Sequence, residues 1–84
     1  MSVVQLFTFH NLAFMNDIKK HIAFTLKKIR KEKGLSQEKL ALSADIDRTY
    51  IQSIERGNRN VSIEILDKLS IALNIHISEF FKNY

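Results

Sequence analysis

Apolar side chains recur along this chain in two different ways, and the change falls at Asn16. Before it, ten of the fifteen positions 1–15 are apolar, Phe7, Phe9 and Phe14 among them, and the first sixteen residues carry no Asp, Glu, Lys or Arg. After it, Ile18, Ile22, Leu26 and Ile29 follow at steps of four, four and three, the stripe of an amphipathic helix. Asn16 suits the N-cap of that helix and Asp17 its positive end, while the Lys-rich stretch to Lys33 suits its negative end. Gly34 then stands where a C′ glycine belongs.

Shorter helices follow in quick succession. Ser36 is placed to cap a second helix from Gln37 to about Ser43, with Leu40 and Ala41 inward. Asp45 and Ile46 make a turn, and Asp47 caps a third helix from Arg48 to Arg56, with Ile51 and Ile54 inward and Gly57 at its end. Ser62 caps a fourth, whose inner face is Ile65, Leu66, Leu69, Ala72 and Leu73, and Asn74 can close it in the left-handed region. Ser78 is expected to cap a last short turn through Phe81. The pattern therefore predicts an all-α, compact five-helix bundle over residues 16–84, preceded by an apolar arm or extension at 1–15.

That opening segment is too short for a membrane span, which needs about 20 apolar residues, and it lacks the basic start and cleavage site of a secretory signal. Residues 3–9 are β-prone, yet one short strand cannot stand alone. Three readings stay open: an arm packed on the body, an element used in dimerisation, or an extension upstream of a start at Met15.

Composition narrows the chemistry. Eighty-four residues make one domain with no room for a catalytic lobe. There is no Cys, which excludes disulfides, cysteine-ligated zinc and thiol catalysis and fits a reducing, cytoplasmic setting. His10, His21 and His76 have no second His at helical spacing, so no metal site is expected. No Gly-rich phosphate loop and no nucleophile with a base is present, so neither enzyme activity nor a cofactor or small-molecule ligand is expected. Thirteen basic against nine acidic residues leave a net charge of +4, which favours an anionic partner.

Residues 35–57 read LSQEKLALSADIDRTYIQSIERG, and their spacing is the informative feature. Small Ala41 lets two short helices cross closely, Ile46 plugs the gap between them, and the outward positions Arg48, Thr49, Gln52 and Ser53 are all polar. This is the arrangement of a helix-turn-helix, whose second helix enters a DNA major groove. Over residues 18–81 the chain resembles the Cro and phage-repressor type, also called the xenobiotic response element family. The resemblance is carried by Leu35-Ser36-Gln37 with Leu40-Ala41, by Ile54-Glu55-Arg56-Gly57, and by residues 69–73 with Asn74-Ile75. Asp47-Arg48-Thr49-Tyr50-Ile51 together with residues 54–60 looks most like the controller proteins of restriction–modification systems. One departure is Asp45, where the family usually has Gly; Asp is among the few side chains that accept positive φ. The longer apolar N-terminus is a second departure.

Roles follow from position and chemistry. Arg48 and Thr49 lie in the first turn of the recognition helix, the part that reaches base edges, with Ser53, Tyr50 and Gln52 beside them. Arg48 can fork to O6 and N7 of guanine. Gln37, Arg56, Asn58, Arg59 and Asn60 have the donors to hold the sugar–phosphate backbone. The resemblance implies a structural salt bridge between Arg30 and Glu55. One recognition helix covers only a few base pairs. The expected protein is therefore a homodimer on a near-palindromic double-stranded DNA operator, paired through Leu73, Ile75, Ile77, Phe80 and Phe81, with RNA polymerase as a further candidate partner. The expected function is transcription regulation, as repressor and activator, by a restriction–modification controller. A phage-type repressor, an antitoxin, and a helix-turn-helix that serves as a protein-interaction module remain as alternatives.

Overall fold

The computed structural model describes residues 3–84, with side chains from Asp17 onward. It contains α1 (Val3–Glu32), α2 (Gln37–Ala44), α3 (Arg48–Glu55) and α4 (Ile63–Leu73), then a 3-10 turn at Ile77–Phe81. The architecture is therefore four α-helices and a 3-10 turn rather than five helices, with no strand among the described residues.

The links between helices follow the expected caps. Ser36 Oγ accepts from the Lys39 N–H at 3.0 Å and Ser62 Oγ from the Ile65 N–H at 3.2 Å. Asp45 (φ 55°) and Asn74 (φ 55°) end α2 and α4 in the left-handed conformation, so the Asp that stands in for the usual glycine does adopt positive φ. Gly57 (φ +80°) ends α3 in the same region, and its backbone lies against Lys20 and Ala23 of α1.

Two expected helix starts are different. α1 does not begin at Asn16 but runs through it from Val3. No Pro or Gly interrupts residues 3–16, and adding a turn to an existing helix costs far less than nucleating one, so local β preference is overridden. The packing expected of the arm concerns side chains outside the described residues. In the final turn the cap is His76 rather than Ser78: His76 Nδ1 accepts from the Ser78 N–H at 3.2 Å and lies 2.8 Å from Ser78 Oγ. An imidazole nitrogen two residues upstream supplies the acceptor that Ser78 was expected to provide.

All four helices and the turn contribute to one core. Leu26, Leu40, Ile51, Ile54, Leu69, Leu73 and Phe80 are fully buried, and Ile18, Ile29, Leu35, Ile46, Tyr50, Ile75 and Ile77 pack partly against them. Ala41 is buried on α2, which packs against both α3 and α4, and Ile46, in the turn between α2 and α3, packs partly against the core. Leu73 (1% exposed) and Phe80 (0%) are thus core residues and not subunit contacts. The 3-10 turn wraps back onto α1 and α4, which carries Phe80 inward and leaves its neighbour Phe81 at 38% exposure.

A candidate DNA interface on the third helix

α3 is only eight residues long, and its two faces differ sharply. Ile51 and Ile54 anchor it to the core, while Arg48 and Thr49 in the first turn are exposed. Tyr50, Gln52 and Ser53 are half-buried along its sides. A helix this short would not persist alone in water; the apolar anchor and the N-cap hold it in place.

That cap is strong. Asp47 Oδ1 accepts from the Thr49 N–H at 2.8 Å and from the Thr49 hydroxyl at 2.6 Å. These two bonds, the hydroxyl bond foremost, hold the Asp47 carboxyl below its ordinary value of 3.8, with the nearby Arg48 charge adding to the effect. A carboxyl depressed in the folded state stabilises the fold above its unfolded value, and that contribution disappears as pH falls through the lower folded value. Acidification below about pH 3.8 is therefore expected to weaken the start of α3. Asp47→Asn keeps an acceptor without the titration, so its unfolding midpoint should depend less on pH in this range. An identical acid dependence in the two proteins would remove Asp47 from this role.

The hydroxyls of Thr49 and Ser53 are already committed as donors. Thr49 donates to Asp47, and Ser53 Oγ donates to the Tyr50 carbonyl at 2.8 Å. What Thr49 can offer outward is its methyl group and its oxygen lone pairs. Beyond α3, Arg56, Asn58, Arg59 and Asn60 are all exposed. Arg59 folds back so that its guanidinium carbon lies 4.2 Å from the centre of the Tyr50 ring. Such a cation–π contact is worth about 0.5–1 kcal/mol at an exposed site. It joins the loop after α3 to the recognition helix, a link that a linear reading of the chain did not contain.

Beneath this surface lies the ion pair. Arg30 Nε donates to Glu55 Oε2 at 2.7 Å and Arg30 Nη2 to Glu55 Oε1 at 2.9 Å, while Nη1 donates to the Leu35 carbonyl at 2.8 Å. Gln37 Nε2 adds a third bond to the carboxylate, reaching Oε1 at 3.0 Å. The two charged side chains are only 9% and 5% exposed. The hydrogen bond to Glu55 raises the Arg30 pKa further above its already high ordinary value, against the opposing effect of burial. One carboxylate thereby ties α1, the start of α2 and the end of α3 together.

Among the apolar residues left outside, Ile71 is 72% exposed on α4 and Ile63 68%. They share a face of that helix, being eight residues apart. Ile71 was not among the expected interface residues. Its signal in the sequence was an isoleucine lying off the inner stripe formed by positions 65, 66, 69, 72 and 73.

Two short helices packed together across a tight turn, with the second fixed by its cap and by a buried ion pair, define a helix-turn-helix unit. The chain belongs to the helix-turn-helix family, whose model matches residues 26–80. It is 54% identical over 70 residues to the control protein C.MunI of a Mycoplasma species, covering 82% of this chain and 95% of that one. It is 46% identical over 61 residues to the control protein C.BamHI of Bacillus amyloliquefaciens, covering 71% and 75%. Among solved structures, the restriction–modification controller protein C.AhdI from Aeromonas hydrophila superposes with a TM-score of 0.73 at 43% identity, covering 75% of this chain and 96% of that one. The controller protein C.Esp1396I, solved as a tetramer with its natural 35-base-pair operator, superposes with a TM-score of 0.72 at 42% identity, covering 77% and 86%.

Proposed function

We propose that this chain is a controller protein of a restriction–modification system, a transcription regulator that binds operator DNA as a homodimer. The observation that carries the reading is the exposed first turn of α3. Arg48 and Thr49 are presented outward on a helix fixed from below, in a chain similar to a controller protein solved on its operator. Arg48 reads a base edge, with Thr49, Tyr50, Gln52 and Ser53 beside it; Gln37, Arg56, Asn58, Arg59 and Asn60 grip the backbone and set the register. The subunits pair through Ile71, Ile75, Ile77 and Phe81. Two-fold pairing sets the recognition helices about 34 Å apart, in successive major grooves.

Regulation follows from occupancy. A dimer over promoter elements excludes polymerase, and a dimer just upstream can recruit it. The mechanism uses no cofactor and no catalytic group, and it operates in the cytoplasm, where the DNA is. No helix among the described residues is long and apolar enough to cross a membrane.

The test is retardation of a duplex taken from upstream of the protein's own gene, at low salt, against an unrelated duplex of equal length. Preferential retardation of the promoter duplex supports the reading. No retardation at micromolar protein favours an interaction module instead.

A further inference from the structure

The apolar stripe of α1 is longer than the core it serves. Ile18, Ile22, Leu26 and Ile29 lie in or against that core. The same side of the helix continues upstream at helical spacing through Phe14, Phe7 and Val3, and residues 1–16 contain no Asp, Glu, Lys or Arg. α1 is one unbroken helix of 30 residues, about 45 Å long. The described residues span 48 × 24 × 20 Å. The first half of α1 therefore runs out along the long axis and cannot fold back over its own subunit.

A groove lies at the foot of this extension. Ile18 and Ile22 of α1, Val61, Ile63 and Leu66 around the start of α4, and Phe81 line a cavity of about 370 Å³ that no acidic side chain borders. We infer that this groove receives the N-terminal half of α1 from a second copy of the chain, each subunit of the homodimer clasping the other. The inference rests on the homodimer reading above and adds a second contact to it, through a segment outside the residues 26–80 that the family model matches.

Three features select a second copy as the occupant. Groove and stripe share one helix. Two antiparallel α1 helices crossing on a two-fold axis near residues 12–13 set Phe7 of each beside Ile18 of the other, and Val3 beside Ile22, so both grooves fill at once and the assembly closes. Charge is the second feature. Each chain carries +4, yet the inserted segment is uncharged and enters an apolar groove without repulsion. The third is area. A phenylalanine buries about 150–250 Å², so Phe7 and Phe14 supply on the order of half of the ~800 Å² per partner that a stable interface needs. The pairing face at Ile71, Ile75 and Ile77 supplies the remainder, and Phe81 belongs to both surfaces.

The chain has no cysteine, so introduced cysteines report the contact without background. Leu6→Cys mixed with Lys19→Cys is expected to give a disulfide-linked mixed dimer, because these positions face each other across the same axis, and neither protein alone should crosslink comparably. In the full chain, Phe7→Asp and Ile63→Asp should each weaken dimerisation at least tenfold by sedimentation equilibrium. The two together should weaken it little more than either alone, since they remove one contact. Ile63 is 68% exposed, so its replacement spares the core. If Phe7→Asp leaves the dimerisation constant unchanged while Ile71→Asp dissociates the protein, the clasp is absent and the homodimer reading stands. If Leu6→Cys alone crosslinks as readily as the mixture, the extensions pair with each other and the groove is not their seat. Co-sedimentation of the monomeric protein with phosphatidylcholine vesicles, abolished by Phe7→Asp, would assign the segment to a lipid surface and overturn the clasp. If the intact protein is monomeric at every concentration, both readings fall together.

Discussion

Glu55→Ala is expected to lower the unfolding free energy by about 3 kcal/mol or more, the usual cost of leaving one member of a buried ion pair without its partner. Arg30 cannot shed its proton, so in the variant its guanidinium would keep one bond, to the Leu35 carbonyl, and lose two. Gln37 would lose its partner at the same stroke. For a domain of 84 residues this is a large part of the total stability. The cause is separable from lost packing. Replacing both partners with apolar residues, Arg30→Met with Glu55→Leu, removes the orphaned charge and should recover much of the loss. Denaturant unfolding of the single and double variants measures this. A double variant as unstable as the single one would show that packing, rather than an unpaired charge, sets the cost. Sequence preference should change little in either variant under conditions where it is folded, because Glu55 faces Arg30 and Gln37 and not the exposed edge of α3.

Phe80→Ala is expected to cost about 3–5 kcal/mol, the range for emptying a fully buried aromatic site. Phe80 is the one large side chain that the 3-10 turn drives into the core, between α1 and α4, so its loss leaves a cavity that a five-residue turn cannot close. The effect should be the same at all protein concentrations, since the site lies inside one subunit. Ile71→Asp should do the opposite. It leaves the monomer core intact and weakens self-association, so its melting temperature should lose its dependence on protein concentration. Melting curves over a hundredfold range of concentration distinguish the two. A concentration-dependent loss for Phe80→Ala would restore it to the subunit interface.

How far the sequence reaches can be seen in these same residues. The caps at Ser36, Asp47 and Ser62, and the positive-φ positions Asp45 and Asn74, were legible because each depends on a few neighbouring residues. The inward places of Ala41 and Ile46 were legible because a small and a branched apolar residue at this spacing leave few alternatives for packing. The burial of Leu73 and Phe80 was not, because near the end of a chain one apolar residue looks like the next. Only the path of the 3-10 turn decides that Phe80 goes in and Phe81 stays out. The start of α1 is not legible, because Asn16 looks like a cap wherever it stands, although a helix already formed runs through it. The Arg59–Tyr50 stack and the groove at Ile63 join residues distant in sequence, and no periodicity reports them.

Whether the first turn of α3 reads base edges is decided by the binding of Arg48→Ala to a set of promoter duplexes, each changed at a single base pair. The intact protein should discriminate at every position it reads. The variant should lose about 1–3 kcal/mol of discrimination at one position per half-site and keep the rest. Arg59→Ala, by contrast, should weaken all duplexes alike. If Arg48→Ala also weakens every duplex equally, with its preferences intact, then Arg48 does not read bases and the account of this interface is wrong.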